Sequence, residues 1–139
     1  MREKALHLLG MMRRANALSV GEVNTGACAR EGKAKLLLLA SDASGNARDR
    51  AESFAAGRGL TLVELPFTKE DFSAAVGVSG GSMAAVTDLG FANALLVLLA
   101  GEEPERYGAA AEAVGQRWRA AQKAAQPRKK GIGKRRTNG

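Results

Sequence analysis

Several residue types are scarce in this chain of 139 residues. Its one cysteine, Cys28, excludes an internal disulfide and any multi-thiolate metal centre. Only 4% of residues are aromatic, so leucine, valine and alanine must fill the core, and no aromatic sheet of the kind that stacks RNA bases is spaced out along the chain. One histidine, His7, stands alone in a helix roughly thirty residues before Ser41 and Asp42, and no GxSxG turn occurs. Long hydrophobic runs are missing: the apolar stretch near Leu95–Ala100 is far too short to cross a bilayer. The first five residues are charged and lead into no signal-peptide core, so a cytoplasmic protein with no membrane partner is expected.

Acids are missing from one region only. Residues 1–101 carry a net charge of +1, residues 102–115 carry −3, and residues 116–139 carry +9 with no acid at all, giving the total of +7. The basic character therefore belongs to the C-terminal end. Such a segment attracts polyphosphates in a strongly salt-dependent way. Beyond Pro127 the sequence PRKKGIGKRRTNG has nothing to bury, and disorder is expected there.

Hydrophobic spacing supplies the elements. Leu6, Leu9 and Met11 or Met12 predict a helix over Lys4–Leu18, and Glu22–Glu31 a second, short one ended by Gly32. Lys35–Ala40 is an uninterrupted apolar strand, which implies cover on both faces. A helix over Ser44–Arg58 follows, then a strand over Leu60–Leu65. Thr68 caps a short helix that ends near Gly77. A glycine–serine stretch, Gly77–Ser82, leads to a strand over Met83–Thr87 and a helix reaching Leu99. Glu105–Ala125 is a separate alanine-rich helix whose seam is Tyr107, Ala111, Val114, Trp118 and Ala121, best explained by packing on the domain. A further strand within Ala17–Val20 would bring the sheet to four. Alternating helices and apolar strands predict an α/β class, a three-layer α/β/α sandwich. Three units result: residues 1–101 as the domain, 102–126 as the C-terminal helix and 127–139 as the basic tail.

Chemistry-bearing motifs are few. Gly32 and Lys33 precede a strand instead of following one, so GxxxxGK[ST] fails, and SDASGN after the strand is not GxGxxG. Asp42 at a strand end is a capping or turn residue, Cys28 a packing residue, and no zinc spacing occurs. No enzyme, metal or cofactor is expected.

The segments LLGMMRRANALSVGEVNTGACAREGKAKLLLLASDASGN (8–46), LVELPFTKEDFSAAVG (62–77) and AAVTDLGFANALLVLL (84–99) resemble the L7Ae/L30e family of ribosomal-type RNA-binding proteins, especially its bacterial YlxQ-like members. That resemblance implies a mixed four-stranded sheet (an L30e-like fold) and binding of structured RNA, kink-turn-like or ribosomal. It places the contact at the start of the second helix, where the family pattern is G-x-N-E-x-x-K. Here Gly21 keeps the glycine, while Val23, Asn24 and Ala27 stand for the asparagine, glutamate and lysine. Asn24 still presents hydrogen-bonding groups to base edges; Ala27 cannot neutralise a phosphate. The resemblance further implies RNA contacts at Glu22, at the loop with Phe67, Thr68 and Lys69, and at Arg30, Lys33 and Lys35 beside the Gly21 surface. Phe67 would offer an apolar face to an unstacked base, or else pack inside the domain while Thr68 only caps. The alternative is a protein–protein interaction module on the same scaffold, docking a ribosome-associated or other partner through Val23–Ala29 or the Trp118 helix.

Overall fold

The computed structural model describes residues 2–79 and 81–125. The basic tail predicted beyond Pro127 lies outside the described residues.

Helix α1 spans Arg2–Arg14 and buries Ala5, Leu9, Gly10 and Met12. The sequence pattern carried this helix on to Leu18, but Asn16 turns it off. That residue takes a left-handed φ of 60°, which asparagine tolerates better than most, and the N–H groups of Asn16 and Ala17 close on the carbonyls of Arg13 and Met12. Leu18–Val20 is thereby released to form strand β1. Helix α2 is Glu22–Arg30, strand β2 Leu36–Leu39, helix α3 Gly45–Arg58 and strand β3 Leu62–Glu64. Helix α4 is Lys69–Val76, strand β4 Met83–Val86, helix α5 Leu89–Glu102 and helix α6 Pro104–Ala125.

Short polar side chains open three of these helices. Ser44 accepts from the Ala47 N–H, Thr68 from Asp71 and Asp88 from Phe91. Gly59 and Gly77, both left-handed, close α3 and α4. Pro104 stands at the first position of α6, where its missing N–H costs nothing.

The sheet order is β1-β4-β2-β3, with β4 antiparallel to both neighbours and β2 parallel to β3. This is the mixed four-stranded sheet that the family resemblance implied. The four leucines of β2 are all buried because they alternate between two cores. Leu36 and Leu38 join the large core under α1, α4, α5 and α6; Leu37 and Leu39 face α2 and α3. Helices thus cover both faces, and the α/β/α sandwich stands.

Helix α6 is part of the large core, since Tyr107 and Val114 are fully buried in it. The Tyr107 hydroxyl donates to the Glu64 carbonyl at 2.6 Å. The Glu64 carboxylate receives Arg48 on one oxygen and Arg106 on the other. Trp118, half-buried, lies against Gly90 so closely that a side chain there would meet its ring at 3.1 Å. Burial fades after that: Ala121, the last residue of the expected seam, is exposed. Among the described residues no helix is long and apolar enough to cross a membrane.

Candidate nucleic-acid interface

Three backbone hydrogen bonds define one end of the sheet. The Gly21 N–H donates to Met83, the Ala40 N–H to Ser82 and the Ser41 N–H to Phe67. Gly21 and the Phe67–Lys69 loop therefore lie at the same end but at opposite edges, three strand spacings or roughly 14 Å apart.

At the first edge Gly21 turns β1 into α2 with φ 101° and ψ 160°. Side chains with a Cβ are essentially excluded from that region, so the glycine is required by the turn. Its carbonyl accepts the first helical bond from Thr25, and no side chain caps the helix start. Its neighbour across the turn is also constrained: a Cβ on Gly81 would come within 2.6 Å of the Val20 side chain. The segment entering β4 is thus pressed against the Gly21 turn. Val78, in that same segment, lines a cleft of about 280 Å³ with Arg13, Asn16, Ser19 and Asn24. Asn24 is exposed, and its Nδ2 donates back to the Val20 carbonyl at 2.9 Å, leaving its oxygen as an acceptor. Val23 is 80% exposed beside it. Glu22 is engaged by Arg50 at 2.6 Å. Arg13, Asn16 and Val78 escaped the sequence reading. Arg13 and Asn16 fell within the helix expected over Lys4–Leu18, and Val78 within the glycine–serine stretch Gly77–Ser82.

The second edge differs from its expected form. Phe67 is 1% exposed and sits in the large core, so its ring is not available to stack on a base. The Arg2 guanidinium lies 5.2 Å from its ring centroid. Thr68 caps α4, and the Lys69 N–H donates to the Asp42 carboxylate at 2.8 Å. Asp42 is therefore a cap, but of α4, not of the helix that follows it directly. The Lys69 side chain is exposed. Asp71 beside them is held below the usual carboxylate range, chiefly by its hydrogen bond from Arg2.

Arg30, Lys33 and Lys35 do not border the Gly21 surface. Helix α2 carries the chain from one end of the sheet to the other, about 13 Å for nine residues. The Lys35 N–H donates to the carbonyl of Val86, at the end opposite Met83. The apolar docking face expected over Val23–Ala29 also shrinks. Thr25, Gly26, Cys28 and Ala29 are buried, leaving Val23 and part of Ala27. Cys28 donates to the Ser19 hydroxyl from within the smaller core.

The remaining polar groups among the described residues assemble no hydrolase triad. His7 is exposed on α1, remote in sequence from Asp42, whose carboxylate is committed to Lys69. Among the described residues no group of three or more metal-ligating side chains converges.

No protein-family model matches the chain. A solved structure of a protein of unknown function from Bacillus halodurans C superposes with a TM-score of 0.63 at 25% identity, covering 68% of this chain and 95% of that one. The Giardia lamblia 15.5kD RNA binding protein superposes with a TM-score of 0.55 at 20% identity over 78% of this chain and 85% of its own, a likeness of fold alone. In sequence, the chain is similar to the RNA-binding protein YlxQ of Bacillus subtilis strain 168, 36% identical over 96 residues that make up 66% of this chain and 91% of that protein. On that identity, and on an L30e-like sheet with β4 inserted between β1 and β2, the chain belongs to the YlxQ family.

Proposed function

We propose that the chain is a non-enzymatic RNA-binding protein of ribosomal type that grips structured RNA at the start of α2. The observation that carries this is the juxtaposition at Gly21: an uncapped helix start beside a cleft holding Arg13, Asn16 and Asn24. Uncapped N–H groups at a helix start favour phosphate. Arg13 supplies a cation that Ala27 cannot, and the two amides offer donors and acceptors suited to base edges. The relative from Bacillus subtilis bears the name of an RNA-binding protein, which supports the same class of partner. The basic C-terminal segment would add affinity that does not depend on sequence.

The test is fluorescence anisotropy of the full chain with a kink-turn RNA, a blunt RNA duplex and poly(U), over a range of salt. Preference for the kink-turn RNA, lowered by Arg13→Gln and by Asn24→Ala, is the expected result. Equal affinity for all three RNAs, unchanged in both variants, would remove the reading. Deleting residues 127–139 should weaken binding mainly at low salt; an unchanged affinity would discard the role of the tail.

Val23, apolar and 80% exposed at this place, favours a second reading, a protein-docking module on the same scaffold. In that case Val23→Lys abolishes capture of a protein partner and leaves RNA affinity as it was.

A further inference from the structure

We propose that the end of the sheet opposite Gly21 carries a second RNA-phosphate surface, built from Arg30, Lys33, Lys35 and Arg58. This rests on the RNA reading above and adds a place of contact about 13 Å away along α2.

The four residues lie at one end of the sheet because two helices end side by side there. Helices α2 and α3 pack on the same face of the sheet, and both run from the Gly21 end to the far end. Arg30 closes α2 and Arg58 closes α3. Gly32, left-handed at φ 75°, turns the chain tightly out of α2, and its N–H and that of Lys33 return to the carbonyls of Ala29 and Cys28. The Arg30 carbonyl, which no backbone N–H of this turn reaches, accepts from the Arg58 guanidinium. A Cβ on Gly32 would lie 3.7 Å from the other terminal nitrogen of Arg58. Arg58 is thereby fixed against the Arg30–Gly32 corner while it stays exposed.

Lys35 joins them by strand alternation. Its backbone continues β2 through a bond to the Val86 carbonyl, so it projects on the same face as Leu37, which packs toward α2 and α3. Lys33 lies in the loop between. All four are exposed.

Opposing charge is scarce there. Glu31 pairs with Lys33 at 3.3 Å, and the Asp88 carboxylate at the same end caps α5. Arg30, Lys35 and Arg58 make no ion pair among the described residues. Cations at helix ends do stabilise the helices by interacting with the terminal carbonyls, which accounts for Arg30 and Arg58 in part. It does not account for Lys33 and Lys35, which lie beyond both helices. A cleft of about 260 Å³ between α2 and α3 is lined by both arginines, with Phe54 and Ser53 in its wall. Arginine's planar fork is well matched to a phosphate group.

Contacts of this kind are blind to sequence and are read by salt dependence. The full chain is titrated with the blunt RNA duplex and with the kink-turn RNA at several potassium chloride concentrations, with circular dichroism melts as the folding control. In the Lys33→Gln, Lys35→Gln, Arg58→Gln triple variant, affinity should fall by a similar factor for both RNAs. The salt slope should shrink by about 2–3, at roughly 0.7–0.9 for each phosphate that is no longer neutralised. Arg13→Gln should instead reduce the preference for the kink-turn RNA. The second surface is overturned if the triple variant keeps the wild-type slope while Arg13→Gln loses preference, in which case the Gly21 site stands alone. It is also overturned if the loss follows Arg58→Gln only, with Lys33→Gln and Lys35→Gln silent, since Arg58 then serves the α2 corner and not the RNA. If the wild-type chain binds neither RNA, both proposals fall.

Discussion

Gly21 permits a stability prediction free of steric complication. A Cβ built on it meets nothing within 4 Å, so Gly21→Ala creates no clash. What it does create is a substituted residue at φ 101°, ψ 160°. Backbone strain in that region costs about 1–3 kcal/mol. Against this, alanine restricts the unfolded chain and returns about 0.4–1 kcal/mol. The net expectation is a loss centred near about 1.3 kcal/mol and reaching at most about 2.6 kcal/mol. Gly108 is the control: it too has open space around its Cβ position, but it lies inside α6 with ordinary helical backbone. Gly108→Ala should therefore stabilise by about 0.5–1 kcal/mol. Urea unfolding of the two variants and the wild type reads both signs in one experiment. If Gly21→Ala unfolds at the same urea concentration as wild type or higher, the turn does not hold the glycine-only conformation, and the account of how α2 begins is wrong.

Three other perturbations follow from the same geometry. Phe67→Ala should cost about 3–5 kcal/mol of stability, because the ring is core and not surface, and should leave RNA affinity of the still-folded fraction unchanged; a stable variant with weakened RNA binding would reverse that assignment. Tyr107 is the only tyrosine, and burial pushes its hydroxyl up to about 12 from the ordinary 10, so absorbance of tyrosinate titrates it directly. Between pH 10 and about 12 the unfolded chain releases this proton and the folded chain retains it, so stability falls as pH rises through that window, a decline that Tyr107→Phe should lack; a titration midpoint near 10 in the folded protein would contradict the burial. Installing the family pattern as Val23→Asn, Asn24→Glu and Ala27→Lys should raise kink-turn affinity at least about fivefold, since one directed base contact is worth roughly 1–3 kcal/mol; no gain in a folded triple variant would argue that the start of α2 does not meet the RNA.

Local signals in the sequence reached the elements but not their arrangement. Thr68 marked a helix start by a side-chain oxygen that needs only the next turn, so it was legible without the rest of the molecule. The run Leu36–Leu39 announced a strand covered on both faces because four consecutive leucines leave no face for water. Strand β1 was half visible: its three residues continue the apolar pattern of α1, and only the left-handed Asn16 separates the two. At the candidate site, Gly21 and Asn24 could be named from the family pattern. Arg13 and Asn16 could not, since they enter the cleft from a different element.

The α/β class, the run of helices and strands, the helix caps and the uneven charge could all be read along the chain, because each depends on neighbours within a few residues. Which chemistry shares a surface was a matter of long-range packing. Strand β4, last in the chain, inserts between β1 and β2, and that non-local pairing sets which loops meet at each end of the sheet. It holds Gly21 at one end and sends Arg30, Lys33 and Lys35 to the other, where Arg58 joins them. The same packing takes Phe67, a loop residue whose aromatic ring reads equally well as surface or core, and seals it inside.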